Sequence, residues 1–358
     1  MPTPMTRLAR LRRLLAGEAE ALLVTHLPNL LYLVGFRGSS GALVVTRRGA
    51  SLFTDGRYRL QARQEVRGAR VSVSSGDPLR AAARWLRRQG LPRVAYEAQR
   101  FTLGQFEQLR QELGPGVELR PARAGVEHLR AIKDAGEVSR VRAGLELTAR
   151  VFEEVLPYVR PGVRELDLAA EIEYRMKQHG ARAPAFETIV ASGPRAAWPH
   201  GRASEKRLAK NELVIFDMGA ILGDYHSDMT RTVHLGTPSA RVKRTYRAVR
   251  EALERAQEAV AAGVAAGRVD AAARGWLGRQ GLGRYFVHGT GHGLGLEVHE
   301  EPRVGPRVRE RLATGNVITL EPGVYIPGWG GVRIEDVVVV RRQGAERLTP
   351  LSRELLCL

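Results

Sequence analysis

The sequence predicts a two-domain α/β protein, and three observations support that prediction. The chain has 358 residues, of which 44% are hydrophobic, so it can bury a substantial core in each of two domains. Short β-rich runs alternate with helical patterns over residues 1–125, which indicates a small α/β domain. Over residues 126–358, a helical region followed by a β-hairpin pattern occurs twice, which indicates a second domain built from two related halves.

The N-terminal domain, residues 1–125, is predicted from its local patterns. Leucines and arginines recur at helical spacing in Met1–Leu15, so we expect an amphipathic helix there. The expected strands are Ala21–Thr25, Leu31–Val34, Ala42–Thr46, Ser51–Thr54 and Val94–Tyr96. The expected helices that follow are Leu79–Arg88 and Leu103–Leu113.

The C-terminal domain, residues 126–358, opens with a long helical pattern. This pattern, Val126–Val159, stops at Arg160-Pro-Gly162, where proline and glycine end a helix. A second helix is expected over Glu165–His179, closing at Gly180. Two further helical patterns are Ala240–Ala262 and Arg268–Gly281.

Two segments of the C-terminal domain share one pattern. Asn211–Gly219 and Asn316–Gly323 each contain an asparagine, an apolar β-like run, a carboxylate, one further residue and a glycine. A second carboxylate follows each segment in another β-like run. If the two units pack around a pseudo-two-fold axis, all four acids meet. The four acids are Asp217, Asp228, Glu321 and Glu335.

Carboxylates within apolar strands indicate a metal centre. Asp and Glu are rarely buried unless they are paired or bound to metal, and four converging acids repel one another. Three of the nine histidines fall within His288–His299, a segment whose glycines allow close backbone approach. Carboxylates with one or two imidazoles favour manganese or cobalt, with zinc and iron as alternatives. No helical pattern opens on these glycines, so a nucleotide-binding loop is disfavoured.

Composition narrows the setting and the partners. The formal net charge is +18, but the 56 basic residues include only five lysines and are scattered, so we expect no nucleic-acid partner. No apolar stretch is long enough to span a membrane, and we expect no membrane partner. The single cysteine, Cys357, cannot form a disulfide within the chain, and a cytoplasmic location is expected.

Five motifs together resemble those of the pita-bread metallopeptidases, in the branch that contains aminopeptidase P and prolidase. The motifs are Ile215-Phe-Asp-Met-Gly219, His226-Ser-Asp-Met-Thr-Arg-Thr232, His288-Gly-Thr-Gly-His-Gly293, Glu321-Pro-Gly323 and Arg333-Ile-Glu-Asp336. Two N-terminal segments, Gly35–Gly41 and Phe53–Tyr58, resemble a creatinase-like domain. The resemblance implies an α/β (α+β) chain with a creatinase-like mixed-sheet domain followed by a pita-bread catalytic domain. It also implies a homodimer.

The resemblance implies a centre of two divalent metal ions. Its ligands would be Asp217, Asp228, His292, Glu321 and Glu335. Asp228 and Glu335 would bridge both ions. Glu321 would act as the general base towards the attacking water, while His200 and His299 would hydrogen-bond the scissile carbonyl and the developing oxyanion.

The resemblance also nominates residues that contact the substrate. They are Phe186, His288, Val298, Arg303, Tyr325 and Arg333. Phe186, Val298 and Tyr325 would form a rigid apolar subsite for proline. Arg303 would bind the terminal carboxylate of a dipeptide, although a solvated loop arginine is an equally good interpretation of this residue. His226 is interpreted as either a partner of the ligands or a solvated hairpin residue.

The expected activity is removal of the N-terminal residue from short peptides with proline in second position. An Xaa-Pro dipeptidase is the alternative within the same chemistry. A non-catalytic pita-bread protein that binds peptides or nucleic acid is the alternative from another class, but all five ligand positions are filled. A metal-free creatinase-type amidinohydrolase would not need the four carboxylates, and the leading domain argues against methionine aminopeptidase.

Overall fold

The computed structural model describes residues 6–122 and 125–358, so residues 1–5 of the predicted Met1–Leu15 helix lie outside the described residues. The chain divides into two compact units, Met1–Arg130 and Ala131–Leu358. Each unit has its own hydrophobic core.

The first unit contains a mixed six-stranded sheet in the order β4-β3-β2-β1-β5-β6. Its strands are β1 (Ala21–Val24), β2 (Gly41–Thr46), β3 (Ala50–Asp55), β4 (Arg70–Ser74), β5 (Arg93–Tyr96) and β6 (Glu118–Pro121). Its helices are α1 (Arg7–Leu15), α2 (Leu27–Val34), α3 (Arg59–Glu65), α4 (Pro78–Arg88) and α5 (Leu103–Leu113). The β1–β2 and β2–β3 pairs are antiparallel, whereas β3–β4, β1–β5 and β5–β6 are parallel.

The strand predicted over Leu31–Val34 is wrong, because this segment is the end of helix α2. A short run of apolar residues fits a strand and a buried helix equally well, so periodicity alone cannot separate them. The flanking residues decide the outcome. Pro28 lies in the first turn, where its missing N–H costs nothing, and Gly35 closes the helix in the left-handed conformation at φ 81°.

The helices after residue 125 differ from the prediction by a few residues at their ends and by one interruption. They are α6 (Val126–Ala131), α7 (Ala135–Val155), α8 (Glu165–Gln178), α9 (Ala240–Glu258) and α10 (Ala266–Arg279). The continuous helix predicted over Val126–Val159 is interrupted at residues 132–134. Asp134 starts α7 by accepting a 2.9 Å hydrogen bond from the Glu137 backbone, and the Glu137 carboxylate accepts one of 2.9 Å in return. Within residues 6–122 and 125–358, no helix has both the length and the apolar composition needed to traverse a bilayer.

Two larger sheets and two smaller ones form the rest of the second unit. The larger sheets have the orders β20-β12-β9-β8 and β14-β13-β15-β18-β19, and the smaller ones are β11-β10-β7 and β16-β17. The strands are β7 (Ala183–Pro184), β8 (Ile189–Ser192), β9 (Leu213–Met218), β10 (Ala220–Leu222), β11 (Tyr225–His226), β12 (Met229–His234), β13 (Gly291–Gly293), β14 (Glu300–Val304), β15 (Val317–Leu320), β16 (Gly323–Ile326), β17 (Gly330–Arg333), β18 (Asp336–Val340), β19 (Ala345–Arg347) and β20 (Leu356–Cys357).

The two related halves are both present. In the first half, Phe152 of α7 packs edge-on against Phe216 of β9 with ring centroids 5.8 Å apart. In the second half, α9 and α10 pack on β15 and β18 in one hydrophobic core. The halves are joined where the backbone N–H of Glu335 donates to the Thr230 carbonyl over 3.1 Å, which links the start of β18 to β12.

Asp336 is a fully buried acid that holds the C-terminal segment. Its carboxylate lies 2.7 Å from Arg231, 2.7 Å from Arg347 and 2.6 Å from Arg353. Burial alone would raise the pKa of Asp336, but these three guanidinium groups outweigh it and the pKa is lowered. Arg231 also donates to the main-chain carbonyls of Glu335 over 2.6 Å and Leu351 over 3.1 Å.

Replacing Asp336 with asparagine is expected to destabilise the protein by about 3–5 kcal/mol, because it leaves buried Arg231 and half-buried Arg347 and Arg353 without a counter-charge. The measurement is the free energy of unfolding in urea. The control is Glu346→Gln, since Glu346 forms exposed pairs with Arg142 and Arg341, and its loss should cost about 1 kcal/mol or less. Equal losses in the two variants would contradict this account.

Candidate metal centre

Each β-hairpin places two carboxylates at one end. Asp217 ends the apolar run of β9, and Asp228 directly precedes β12, which pairs antiparallel with β9. In the second half, Glu321 directly follows β15 and Glu335 directly precedes its partner β18. The antiparallel pairing brings the end of one strand beside the start of the next. Each hairpin therefore presents both of its acids at the same edge.

The acids of the two halves meet around His292 of β13. One ligand atom each from Asp228, His292 and Glu335 lies within 4.8 Å of the others. The Nε2 atom of His292 is 3.6 Å from Asp228 Oδ2 and 3.8 Å from Glu321 Oε1. The charge of Asp217 acts on Asp228, Glu321 and Glu335. These five residues are called the metal cluster below.

Burial and repulsion make three of these acids, Asp228, Glu321 and Glu335, hard to ionise. Burial raises the pKa of Asp228 well above its ordinary value, and the charges of Glu335, Asp217 and Glu321 raise it further. The pKa of Glu335 is raised by burial first and then by Glu321 and Asp217. Burial also raises the pKa of Glu321 to about 7, although Arg333 opposes the shift. One arginine therefore does not neutralise the cluster.

The donor set fits divalent cations. Oδ1 of Asp217 is buried and accepts no hydrogen bond, so this oxygen has a lone pair without a partner. Burial lowers the pKa of His292 to about 4, so the imidazole is neutral at pH 7. Its Nδ1 lies 3.0 Å from the Gly293 carbonyl, which places the hydrogen on Nδ1 and leaves the Nε2 lone pair facing Asp228 and Glu321. Carboxylates and neutral imidazole are ligands for divalent metal ions.

Arg333 connects Asp217 to the residues around the cluster. Its guanidinium donates to Asp217 Oδ2 over 2.6 Å, to the Tyr325 hydroxyl over 2.8 Å and to the Pro199 carbonyl over 2.9 Å. Nε2 of His288 is 2.8 Å from the same Tyr325 hydroxyl. Of the predicted substrate-contacting residues, His288, Tyr325 and Arg333 thus share one hydrogen-bonded network.

The other predicted residues are placed differently. His299 packs edge-on against His292 with ring centroids 4.4 Å apart, and burial followed by the charge of His200 lowers its pKa. His200 is exposed at a turn closed by the hydrogen bond from Gly201 N to Trp198 O. Phe186 lies beside Gly219, two residues after Asp217, because a Cβ built on Gly219 would meet its ring at 2.9 Å.

Val298 lies in the turn between β13 and β14, and Arg303 lies on β14 itself. Val298 is half-buried immediately before His299. Arg303, on β14, is exposed and, in the described part of the chain, takes no part in the Arg333 network. His226 is half-buried, and its Nδ1 lies 3.2 Å from the Gly295 carbonyl, so it contacts the turn rather than solvent alone.

The sequence did not indicate Thr230, although it joins two parts of the site. Its hydroxyl donates to Glu335 Oε2 over 2.9 Å and accepts from Nε of Arg333 over 3.0 Å. A signal was present, because Thr230 follows Asp228 by two residues at the start of a strand, and alternate strand residues share a face.

Asp270 and Arg274 of α10 hold the segment that carries His288. Arg274 pairs with Asp270 over 2.9 Å and donates to the carbonyls of Phe286 over 2.8 Å and His288 over 2.6 Å. Asp270 accepts from the Thr290 hydroxyl over 2.8 Å. Their four-residue spacing on a helix is the sequence signal that could have found this pair.

A buried ion pair holds the segment that carries His299. Lys133 Nζ lies 2.9 Å from Glu300 Oε2, and these side chains are only 1% and 5% exposed. Oε1 of Glu300 accepts from the Glu297 backbone over 3.1 Å. The two residues are 167 positions apart in the sequence, so no local pattern predicts their contact.

Comparison with known proteins places these features in a family context. Residues 7–132 match the creatinase/prolidase N-terminal domain, and residues 139–342 match metallopeptidase family M24. An uncharacterized peptidase of Bacillus subtilis is 36% identical over 98% of this chain and 100% of its own length. An Xaa-Pro dipeptidase structure from Bacillus anthracis is similar with a TM-score of 0.94 and 35% identity, covering 98% of this chain and 99% of that one.

A second similar solved structure is named as an aminopeptidase rather than as a dipeptidase. The X-Pro aminopeptidase from Thermotoga maritima has a TM-score of 0.90 and 35% identity, covering 98% of this chain and all of the other. Together the family matches and the solved structures confirm the predicted fold class, a creatinase-like mixed-sheet domain followed by a pita-bread domain.

The raised pKa of Glu321 predicts how the metal-free protein responds to pH. Its pKa of about 7 in the folded protein exceeds the ordinary value of 4.5. The stability associated with the protonated carboxyl group is therefore present below pH 4.5 and lost as the pH rises through 7. In EDTA-treated protein, Glu321→Gln should therefore lose less stability than wild type between pH 5 and pH 8. The measurement is the melting temperature at each pH.

The matched control for this experiment is Glu258→Gln, at the exposed end of α9. Its melting temperature should follow the wild-type pH dependence. Parallel pH profiles for wild type and Glu321→Gln would contradict the assigned pKa.

Proposed function

The chain belongs to metallopeptidase family M24, and from this we propose that it removes the N-terminal residue from peptides whose second residue is proline. At the coarser level it is a metal-dependent Xaa-Pro peptidase. The observation that carries the proposal is the convergence of Asp228, His292 and Glu335 from both halves of the pita-bread domain, with Glu321 beside His292.

We propose that the metal cluster holds two divalent ions, with manganese favoured over cobalt, zinc and iron. Asp217, Asp228, His292, Glu321 and Glu335 would hold these ions. When bound, the ions supply Lewis acidity and lower the pKa of water, so that a nucleophile is available at neutral pH. The unpartnered Oδ1 of Asp217 and the free Nε2 lone pair of His292 support these ligand roles.

Glu321 is the proposed general base. Its carboxylate lies 3.8 Å from His292 Nε2 at the edge of the cluster, so it can take a proton from the attacking water. The water oxygen adds to the scissile carbonyl carbon, and the carbon–nitrogen bond then breaks. Glu321 passes the proton to the departing proline nitrogen, which restores the carboxylate and balances the hydrolysis.

Two histidines are proposed to stabilise the carbonyl oxygen. Burial lowers the pKa of His299, which favours a neutral ring that donates one N–H at pH 7. The charge of His200 contributes to the lowered pKa values of His288 and His299, which supports a common site for the three rings. Donors placed in advance around the developing oxyanion lower the barrier to acyl transfer.

The preference for proline is proposed to come from an apolar subsite formed by Phe186, Val298 and Tyr325. The hydroxyl of Tyr325 is occupied by Arg333 and His288, so its ring is fixed in place. A prolyl imide has no N–H to donate, and it suits a rigid wall that offers no acceptor. Arg333 is proposed to orient Asp217 and the proline side of this subsite.

Longer peptides are favoured over dipeptides by the position of Arg303. A dipeptidase must hold the substrate's terminal carboxylate, and Arg303 is the nominated group. In the described chain Arg303 is exposed and outside the network around the cluster. An Xaa-Pro dipeptidase remains the second candidate, because solved relatives carry either name. The homodimer implied by the resemblance stays a prediction.

Glu321→Gln is expected to reduce hydrolysis of an Xaa-Pro-Yaa tripeptide by about 10²- to 10⁴-fold, because the amide cannot accept the proton. The rate is measured on metal-stripped protein reloaded with manganese, beside Glu258→Gln as the exposed control. Retention of activity in Glu321→Gln would remove Glu321 as the base. If the reloaded wild type cleaves neither tripeptide nor dipeptide, the peptidase assignment fails.

Arg303→Ala is expected to leave tripeptide cleavage unchanged within about twofold, because a lone exposed arginine contributes little to binding a substrate it does not contact. The measurement is KM for an Xaa-Pro dipeptide and an Xaa-Pro-Yaa tripeptide, with exposed Arg309→Ala as the control. A wild type that cleaves only the dipeptide, with KM raised tenfold or more by Arg303→Ala, would instead identify a dipeptidase (about 1.4 kcal/mol).

A further inference from the structure

Glu165 is a fully buried carboxylate outside the metal cluster. It is the first residue of α8 and is 0% exposed. Its side chain accepts five hydrogen bonds from three residues of another segment. The donors are Ser192 N at 2.8 Å, Ser192 Oγ at 2.8 Å, Arg195 Nε at 3.0 Å, Ser204 N at 3.1 Å and Ser204 Oγ at 2.6 Å.

These donors bracket the segment that carries His200. Ser192 ends β8, Arg195 lies early in residues 193–204, and Ser204 lies at their end. Residues 193–204 are called the His200 loop below. Oε1 of Glu165 binds the start of the loop and Oε2 binds its end, so one carboxylate closes both ends.

The apex of the His200 loop is also held, on the side of the metal cluster. The Trp198–Gly201 turn has His200 as its third residue, and the Pro199 carbonyl accepts from Arg333 Nη1 over 2.9 Å. Arg333 in turn donates to Asp217. The loop is thus fixed at its base by Glu165 and at its apex by the network of the cluster.

A buried carboxylate is costly unless its oxygens are satisfied, and here both are. Three of the five hydrogen bonds come from side chains, namely those of Ser192, Arg195 and Ser204. The position of these donors matters, because an acid that stabilises its own helix would bond to that helix, whereas within the described residues the Glu165 carboxylate accepts only from the His200 loop and its ends.

We propose that Glu165 is a positioning residue that aims His200 at the scissile carbonyl by closing the base of the His200 loop. This inference rests on the proposed role of His200. Glu165 touches no reacting atom, so its effect on catalysis must pass through His200. Arg195, which lies within the His200 loop, donates over 3.0 Å to Oε2 of Glu165, the oxygen that also binds Ser204.

The test is a double-mutant cycle with Glu165→Gln and His200→Ala on manganese-loaded protein. Glutamine turns one accepting oxygen into a donor, so one end of the loop loses its partner. We expect Glu165→Gln to lower kcat by up to about 10²-fold, the scale of a misplaced catalytic group, with little change in KM. The double variant should be no slower than His200→Ala alone, because both changes remove the same contribution.

A readout independent of peptidase activity is trypsin cleavage after Arg202, whose side chain is 79% exposed. Glu165→Gln should be cut faster than wild type because its loop is released. Glu97→Gln is the matched control, since Glu97 is a buried carboxylate of the first unit that accepts hydrogen bonds from Thr25, His26 and Asn29. It should change neither kcat nor cleavage after Arg202.

Ser204→Ala tests the same bond if Glu165→Gln does not fold, and it should show smaller changes in the same directions. Effects of Glu165→Gln and His200→Ala that multiply, or unchanged trypsin cleavage, would overturn the proposal. If wild type cleaves no Xaa-Pro peptide, the proposed function fails separately. The closure of the His200 loop by Glu165 is then judged on trypsin cleavage alone, and unchanged cleavage still overturns it.

Discussion

Repulsion among four carboxylates in one largely buried site is the interaction around which the second unit is built. Asp217, Asp228, Glu321 and Glu335 each raise the cost of ionising a neighbour, and Arg333 supplies only one positive charge nearby. The side chains of the site therefore do not balance its negative charge by themselves. Divalent ions remove the repulsion, so metal binding and folding of this unit are thermodynamically linked.

Two kinds of structure hold this site. Strands supply the acids and His292, whereas His200, His288 and His299 come from segments that have little regular structure of their own. Each such segment is fixed by a buried charge, since Arg274 holds the His288 carbonyl and the Lys133–Glu300 pair lies behind His299. Rigid strands thus position the metal ligands, and ion pairs position the groups proposed to contact the peptide.

The sequence was sufficient for the fold class and for the nomination of the cluster, because strand carboxylates, glycine-rich histidine motifs and helix stops are all local signals. It was insufficient where an apolar run is compatible with both a strand and a buried helix, as at Leu31–Val34. It was also insufficient where a capping residue such as Asp134 interrupts a helical pattern. Contacts between distant residues, such as Lys133 with Glu300, leave no local pattern. Glu165 was overlooked for the same reason, since its partners lie 27 to 39 residues away.

The ion pairs of Asp336 with Arg231, Arg347 and Arg353 also bear on what a chain still being synthesised can hold in place. A nascent chain that has emerged only as far as Glu335 already contains all five residues of the metal cluster. It still lacks Asp336, Arg347, Arg353 and the Leu351 carbonyl, which together fix Arg231 beneath the Glu335 main chain. It also lacks β20, which pairs with β12. A chain that ends at Glu335 therefore carries the five ligands without the contacts that hold Arg231 against the Glu335 main chain.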